Sequence, residues 1–291
     1  MTPVPALGFC FVPTLPPETL VHLAQAVEAA GLDELWVWED CFKEGGVASA
    51  AIALASTTRI RVGIGLLPTP LRNVALTGME LATLARAFPG RFLPGIGHGV
   101  QEWMGQVGVR PRSPLGLLDE YATALRALLA GEEVTTDGAY VHLDAVRLDW
   151  PPTPPPPLFV GGTGPRSVDA AARLGDGYLL ASCRTDAQIA DANGRVTAAR
   201  GIGHPSVATE VGATGPGAQE RVDAEVPRWG AEVGTTGTAG DLDAFVATTR
   251  RLAGLGVTSL VFQPTEDEPD LDGFVAFLGE VRTRLLAEGD A

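Results

Sequence analysis

Residues 156–180 read PPLFVGGTGPRSVDAAARLGDGYLL. A short apolar run stops in Gly161-Gly162-Thr163-Gly164-Pro165, an alanine-rich helical pattern begins at once, and a second apolar run follows at 177–181. Strand, glycine turn, helix and strand in that order form a parallel β/α unit. The turn brings free backbone N–H groups and the positive end of a helix to one point, where an anion is stabilised. It is equally the shape of a plain tight turn with a helix start, because Pro165 suits a first helical turn. It is not a Walker loop, since no Gly-Lys-Ser/Thr follows, and its G-G-x-G spacing departs from the dinucleotide fingerprint.

Working outward, the same alternation recurs along the whole chain. Strand-like runs lie at 7–12, 34–38, 60–66, 91–97, 158–162, 177–181, 206–212 and 257–262. Helical patterns lie at 17–30, 45–56, 71–87, 114–130, 165–174, 185–199, 216–229, 239–255 and 270–287. Leu20, Leu23, Ala24 and Val27 recur at helical spacing ahead of Gly31, and Leu242, Phe245, Val246, Leu252 and Leu255 do so ahead of Gly256. Short, apolar strands suit a parallel sheet buried on both faces. Eight such units in 291 residues predict a (β/α)8 TIM barrel, read as a single domain over 1–291. The one departure is 131–157, with a hairpin pattern around Asp137-Gly138 followed by the stiff WPPTPPPP connector. It reads as an excursion between strands four and five.

Bulk properties narrow the function. Hydrophobic residues make up 45% of the chain, enough for a large core, and the net charge is −14. That charge argues against nucleic acid or an anionic membrane as a partner, since both need a basic face. A small anionic ligand needs only a few local donors and stays open. The three cysteines, Cys10, Cys41 and Cys183, lack metal-ligand spacing and fit a reducing compartment. With no basic leader and no uncharged run long enough for a membrane span, the expectation is a cytoplasmic protein.

In such barrels chemistry sits at the C-terminal ends of the strands. Strand two ends in WVWEDCFKEGG, where alternation sends only one of Glu39 and Asp40 inward, Asp40 being the candidate. A helix cap or a rim ion pair is the competing role for such a carboxylate. Strand three ends in VGIGLLPTP, and Gly63 and Gly65 leave room either for a flat ligand or for a bulky neighbour. Strand four ends in LPGIGHGVQEWMG, where Gly95, Gly97 and Gly99 surround His98, a candidate for proton transfer or for contact with an anion. No pair of histidines has metal-ligand spacing, no G-x-S-x-G elbow exists, and the chain's only lysine, Lys43, lies in a loop, which weakens zinc, serine hydrolase and Schiff-base readings. Trp103 is the aromatic placed to meet a substrate. Three glycine-rich strand ends and one glycine-rich helix start on a single face fit a broad, flat, phosphate-bearing cofactor that supplies the reactivity.

AQAVEAAGLDELWVWED, RIRVGIGLLPTP, FPGRFLPGIGHG, the opening passage and LAGLGVTSLVFQP occur here in that order, and together the chain resembles the bacterial luciferase-like superfamily of flavin- and deazaflavin-dependent oxidoreductases. The resemblance implies a homodimeric barrel with coenzyme F420, or alternatively FMN, at the strand C-termini, acting on a small-molecule substrate. It implies that Asp40 lies near the ring, that Gly65-Leu66 is a cis non-proline bond behind it, and that Gly97, His98 and Gly99 line the cofactor side chain. It assigns the phosphate to Gly162, Thr163, Gly164, Pro165 and Ser167, and catalysis to Asp40 and His98. The leading expectation is hydride transfer through F420; the rivals are an FMN-dependent monooxygenase and a non-catalytic cofactor-binding barrel. The superfamily's sugar-phosphate dehydrogenases carry His after the strand-two aspartate and an acid after the fourth-strand glycines. Cys41 and Val100 occupy those places here, which puts that branch's substrate and mechanism in doubt.

Overall fold

The computed structural model describes residues 3–289. Eight parallel strands form its centre: β1 (Ala6–Phe11), β2 (Glu34–Val37), β3 (Arg61–Pro68), β4 (Phe92–Gly97), β7 (Phe159–Gly161), β8 (Gly177–Leu179), β9 (Ser206–Ala213) and β11 (Ser259–Pro264). They pair in the ring β11-β1-β2-β3-β4-β7-β8-β9, and β9 pairs back onto β11, closing a (β/α)8 barrel. Each of the eight expected runs supplies one of these strands.

The connecting helices are α1 (Leu20–Ala29), α2 (Gly46–Ser56), α3 (Val74–Ala87), α5 (Pro114–Leu129), α6 (Pro165–Leu174), α7 (Asp186–Arg200), α8 (Ala218–Glu225), α9 (Leu242–Gly254) and α10 (Leu271–Gly289). Two elements have no counterpart in the sequence pattern. α4 (Gln101–Gln106) is a six-residue helix after β4, and β10 (Thr238–Ala239) is a two-residue strand beside the end of β9. Both are too short for a periodic pattern to form. The excursion is an antiparallel hairpin of β5 (Val134–Asp137) and β6 (His142–Val146), whose tip is held to α5 by the Glu120 carboxylate accepting from the N–H groups of Ala139, Tyr140 and Val141.

Side-chain alternation divides the core in two. Leu7, Phe9, Leu35, Val62, Ile64, Phe92, Val160 and Phe262 face outward into the layer between sheet and helices. Cys10, Val12, Trp36, Trp38, Leu93, Phe159, Leu179, Val207 and Val261 form the separate cluster inside the ring. The glycines of β3, β4 and β8 are lumen positions, and large neighbours fill the lower ones. A Cβ on Gly63 would run into the Trp36 indole, one on Gly95 into Leu179, and one on Gly177 into Phe159. For Gly63 the bulky-neighbour reading therefore holds, and the space for a ligand lies higher, where this filling stops.

Candidate active site

Above the filled lumen opens a cavity of about 470 Å³ at the C-terminal ends of the strands. Its floor and walls carry Trp38, Gly65, Leu66, Leu179, Leu180 and Thr209, and its margin carries Val100, Trp103, Arg184 and Trp229. Of the residues singled out from sequence, Asp40, Gly65, Leu66, His98, Gly99, Gly162 and Thr163 line it together. Gly97, Gly164, Pro165 and Ser167 are not part of that lining.

Asp40 continues the inward alternation of Trp36 and Trp38 and is half-buried. Burial pushes its carboxyl above the ordinary range, Lys43 pulls it back and Glu44 pushes it further. Glu39 takes the other direction and the other role. Its carboxylate accepts from the Gly46 N–H at 2.8 Å, at the start of α2, and pairs with Arg72 ahead of α3. It thereby ties down both ends of the loop that presents Asp40. Cys41 lies in that loop outside the cavity lining, and burial with two nearby carboxylates raises its thiol, which disfavours a nucleophilic thiolate.

Strand three reaches the cavity at Gly65-Leu66, joined by a cis peptide bond, and its register with β4 shifts between Ile64 and Leu67. Gly97 is required beneath this bulge, since a Cβ there would strike the Leu66 side chain. His98 follows with Nδ1 at 2.9 Å from the Gly99 carbonyl oxygen. A carbonyl only accepts, so Nδ1 carries a proton and Nε2 is the free nitrogen. That nitrogen lies 3.4 Å from the Ser167 hydroxyl.

Ser167 belongs to the first turn of α6, which starts at Pro165 with Gly164 as its N-cap. A helix's first N–H groups lack intrahelical partners. Gly162 approaches α6 so closely that a Cβ would overlap Ser167, and its carbonyl accepts from the Tyr178 hydroxyl at 2.7 Å. The turn thus places a helix N-terminus and a serine hydroxyl together beside an apolar cavity, with the free His98 nitrogen next to that hydroxyl.

Sequence reasoning did not single out Trp229 as a cavity residue. It follows α8, and its ring packs on Trp38 with centroids 5.2 Å apart and planes at 73°. Its indole N–H donates to the buried Glu225 carboxylate at 3.0 Å. Nothing local in sequence joins Trp38, at the end of β2, to a residue that follows β9. The lesser aromatics divide as core and surface: Trp36 is buried, whereas Trp150 is exposed beneath Arg86. Among the described residues no group of histidine, cysteine and carboxylate side chains could hold a metal ion, and no helix is long and apolar enough to cross a membrane.

The luciferase-like monooxygenase family model matches residues 9–229, and the chain belongs to that family. A 5,10-methylenetetrahydromethanopterin reductase of Methanolobus tindarius is 31% identical over 174 residues, covering 60% of this chain and 53% of that one. An F420-dependent glucose-6-phosphate dehydrogenase of Kineococcus radiotolerans is 33% identical over 179 residues, covering 57% and 53%. The chain spans about half the length of the curated relatives it matches. Among solved structures, an F420-dependent secondary alcohol dehydrogenase in complex with an F420–acetone adduct superposes with a TM-score of 0.85 at 18% identity, over 97% of this chain and 99% of that one. A monooxygenase from Streptomyces bottropensis superposes at 0.80 and 19%, over 96% and 99%. At these identities the likeness is one of fold.

Proposed function

We propose that this barrel is an oxidoreductase that uses coenzyme F420 to pass a hydride to or from a small organic substrate. The observation that carries the reading is the turn of Gly162, Thr163, Gly164, Pro165 and Ser167 at the start of a helix, beside an apolar cavity of about 470 Å³. The relatives named for F420 support the choice of deazaflavin. The donor set fits the group: a phosphodiester takes the helix N-terminus and Ser167, and a flat ring takes the apolar wall of Leu66 and Leu179.

When bound, the deazaflavin ring supplies two-electron hydride chemistry. The chain's own residues position it. Gly65 and Leu66 would form the surface behind the ring, and Leu66, Leu179 and Leu180 would exclude water around it. His98 turns Nε2 toward the Ser167 hydroxyl and so helps orient that hydroxyl beside the phosphate seat. Asp40 lines the cavity just past the end of β2 and is the group assigned to hold or move a proton beside the reacting carbon. The reading includes a homodimer, which the molar mass in solution checks.

FMN-dependent oxygen chemistry is the second reading, supported by the family's description and by the monooxygenase of the same fold. Titrating the purified protein with oxidised F420 and separately with FMN, followed by fluorescence quenching, separates the two. Saturable micromolar binding of F420 alone upholds the first reading, and FMN alone selects the second. Binding of neither removes both and leaves the turn as a structural corner.

A further inference from the structure

We infer that the outer half of the cavity takes an uncharged, ring-bearing apolar substrate, clasped between Trp103 on one side and the Trp38–Trp229 pair on the other. The inference rests on the reading of this cavity as the reaction site and adds to it the substrate's chemical class.

The first argument is placement. Trp38 rises from the end of β2 and Trp229 from the segment after β9, and their contact spans the top of β11 and β1. Trp103 stands on α4, directly after β4. In an eight-membered ring β4 lies across from β11, so Trp103 and the Trp38–Trp229 pair stand on opposite sides of the opening. All three line the same cavity. Trp229 is held there by its neighbours. The buried Glu225 carboxylate accepts its indole N–H and, through the other oxygen, the Glu266 N–H at 3.2 Å. With its polar edge satisfied, the indole offers rigid apolar surface, and large rigid aromatics bind ring systems at low entropic cost.

The second argument is charge. An anionic substrate needs cations, and Arg184 is the single cation among the cavity-lining residues. Arg72 pairs with Glu39, and Arg228 pairs with Glu225 and Glu266. Lys43 lies outside the cavity lining. Arg184 itself stands at the margin, its Nε donating to the Ser182 carbonyl at 3.3 Å, so a carboxylate meets one cation there against three indoles. Val100 stands exposed at the cavity edge with no charge to offer. A cationic substrate fares no better, because Glu39 is consumed by Arg72 and Gly46, and the half-buried Asp40 carboxyl is held toward its neutral form by burial. What the outer cavity presents in excess is indole and aliphatic surface, which selects a neutral ring.

Three bicyclic probes of one size test this by calorimetry on the full chain, with and without F420: 2-naphthol, 2-naphthoate and 2-(aminomethyl)naphthalene, neutral, anionic and cationic at pH 7. The expected result is that 2-naphthol binds at least tenfold more tightly than either charged probe. Trp103→Ala and Trp229→Ala should each weaken it at least fivefold while F420 affinity stays within twofold. Trp103→Phe, which keeps an aromatic face, should restore most of the loss. Equal or tighter binding of the carboxylate or the ammonium overturns the inference, as does unchanged 2-naphthol affinity in Trp103→Ala. Failure of F420 to bind while 2-naphthol still binds at the tryptophans counts against the redox reading and not against this one.

Discussion

At the scale of single residues, two groups make opposite demands on their protons. His98 commits Nδ1 to the Gly99 carbonyl and aims Nε2 at Ser167 beside the α6 N-terminus. If that corner is the phosphate seat, Ser167→Ala should weaken a phosphorylated cofactor by about tenfold, the value of one hydrogen bond to an anion. The phosphate-free form of the same ring should change less than twofold, and parallel titrations of the two forms check this. Glu210 lies on the outward face of β9, 2% exposed, where it accepts from the Gly237 N–H and the Thr236 hydroxyl. Burial lifts its carboxyl to about 7 against these hydrogen bonds, which pull the other way. An acid whose folded value lies above its unfolded one contributes stability that is full below pH 4.5 and is lost as pH rises through 7. Glu210→Gln removes that titration, so between pH 4.5 and 8 the variant should gain on the native chain by on the order of 3 kcal/mol. Denaturant melts at the two pH values measure the gain, and parallel curves would refute it.

At the scale of elements, the decisive piece is the loop between β2 and α2. Its two ends are joined through Glu39, which binds Gly46 at one side and Arg72 of the next unit at the other. Breaking a buried pair by removing one partner leaves an uncompensated charge, at a cost of about 3 kcal/mol. Arg72→Ala should therefore destabilise the protein by roughly that amount and release amide protection at Gly46, and hydrogen exchange reads both. A variant that keeps Gly46 protected would mean the loop is held by other contacts. Asp40 is legible in the sequence because it shares the alternation of Trp36 and Trp38. The Glu39–Arg72 pair is not, since its partners are 33 residues apart on different units and nothing local marks them. The glycines show the converse limit. Their spacing in GIG and PGIG marks lumen positions correctly, but only the fold tells which are filled by Trp36, Phe159 and Leu179 and which open to the cavity. Likewise α4 and β10 are shorter than the period that would reveal them, and Trp229 meets Trp38 only because the ring closes.

At the scale of the whole molecule, the cavity exists only in the closed ring, because its lining comes from β2, β3, β4, β8 and β9 and the turn after β7. A ligand that spans those strands binds the folded state and not the unfolded chain, so binding must appear as global stability. At a hundredfold excess over Kd that linkage is worth about 2.7 kcal/mol. For a chain of this size each kcal/mol moves the midpoint by roughly 2 °C, so F420 should raise Tm by roughly 5 °C. The rise should come as a single shifted transition, since the β8–β9 and β9–β11 pairings leave no half of the ring able to open alone. FMN at the same multiple of its own Kd serves as the control for the second reading. A Tm unmoved by millimolar F420 and FMN would mean that neither ring occupies the cavity, whatever the resemblance of the barrel around it.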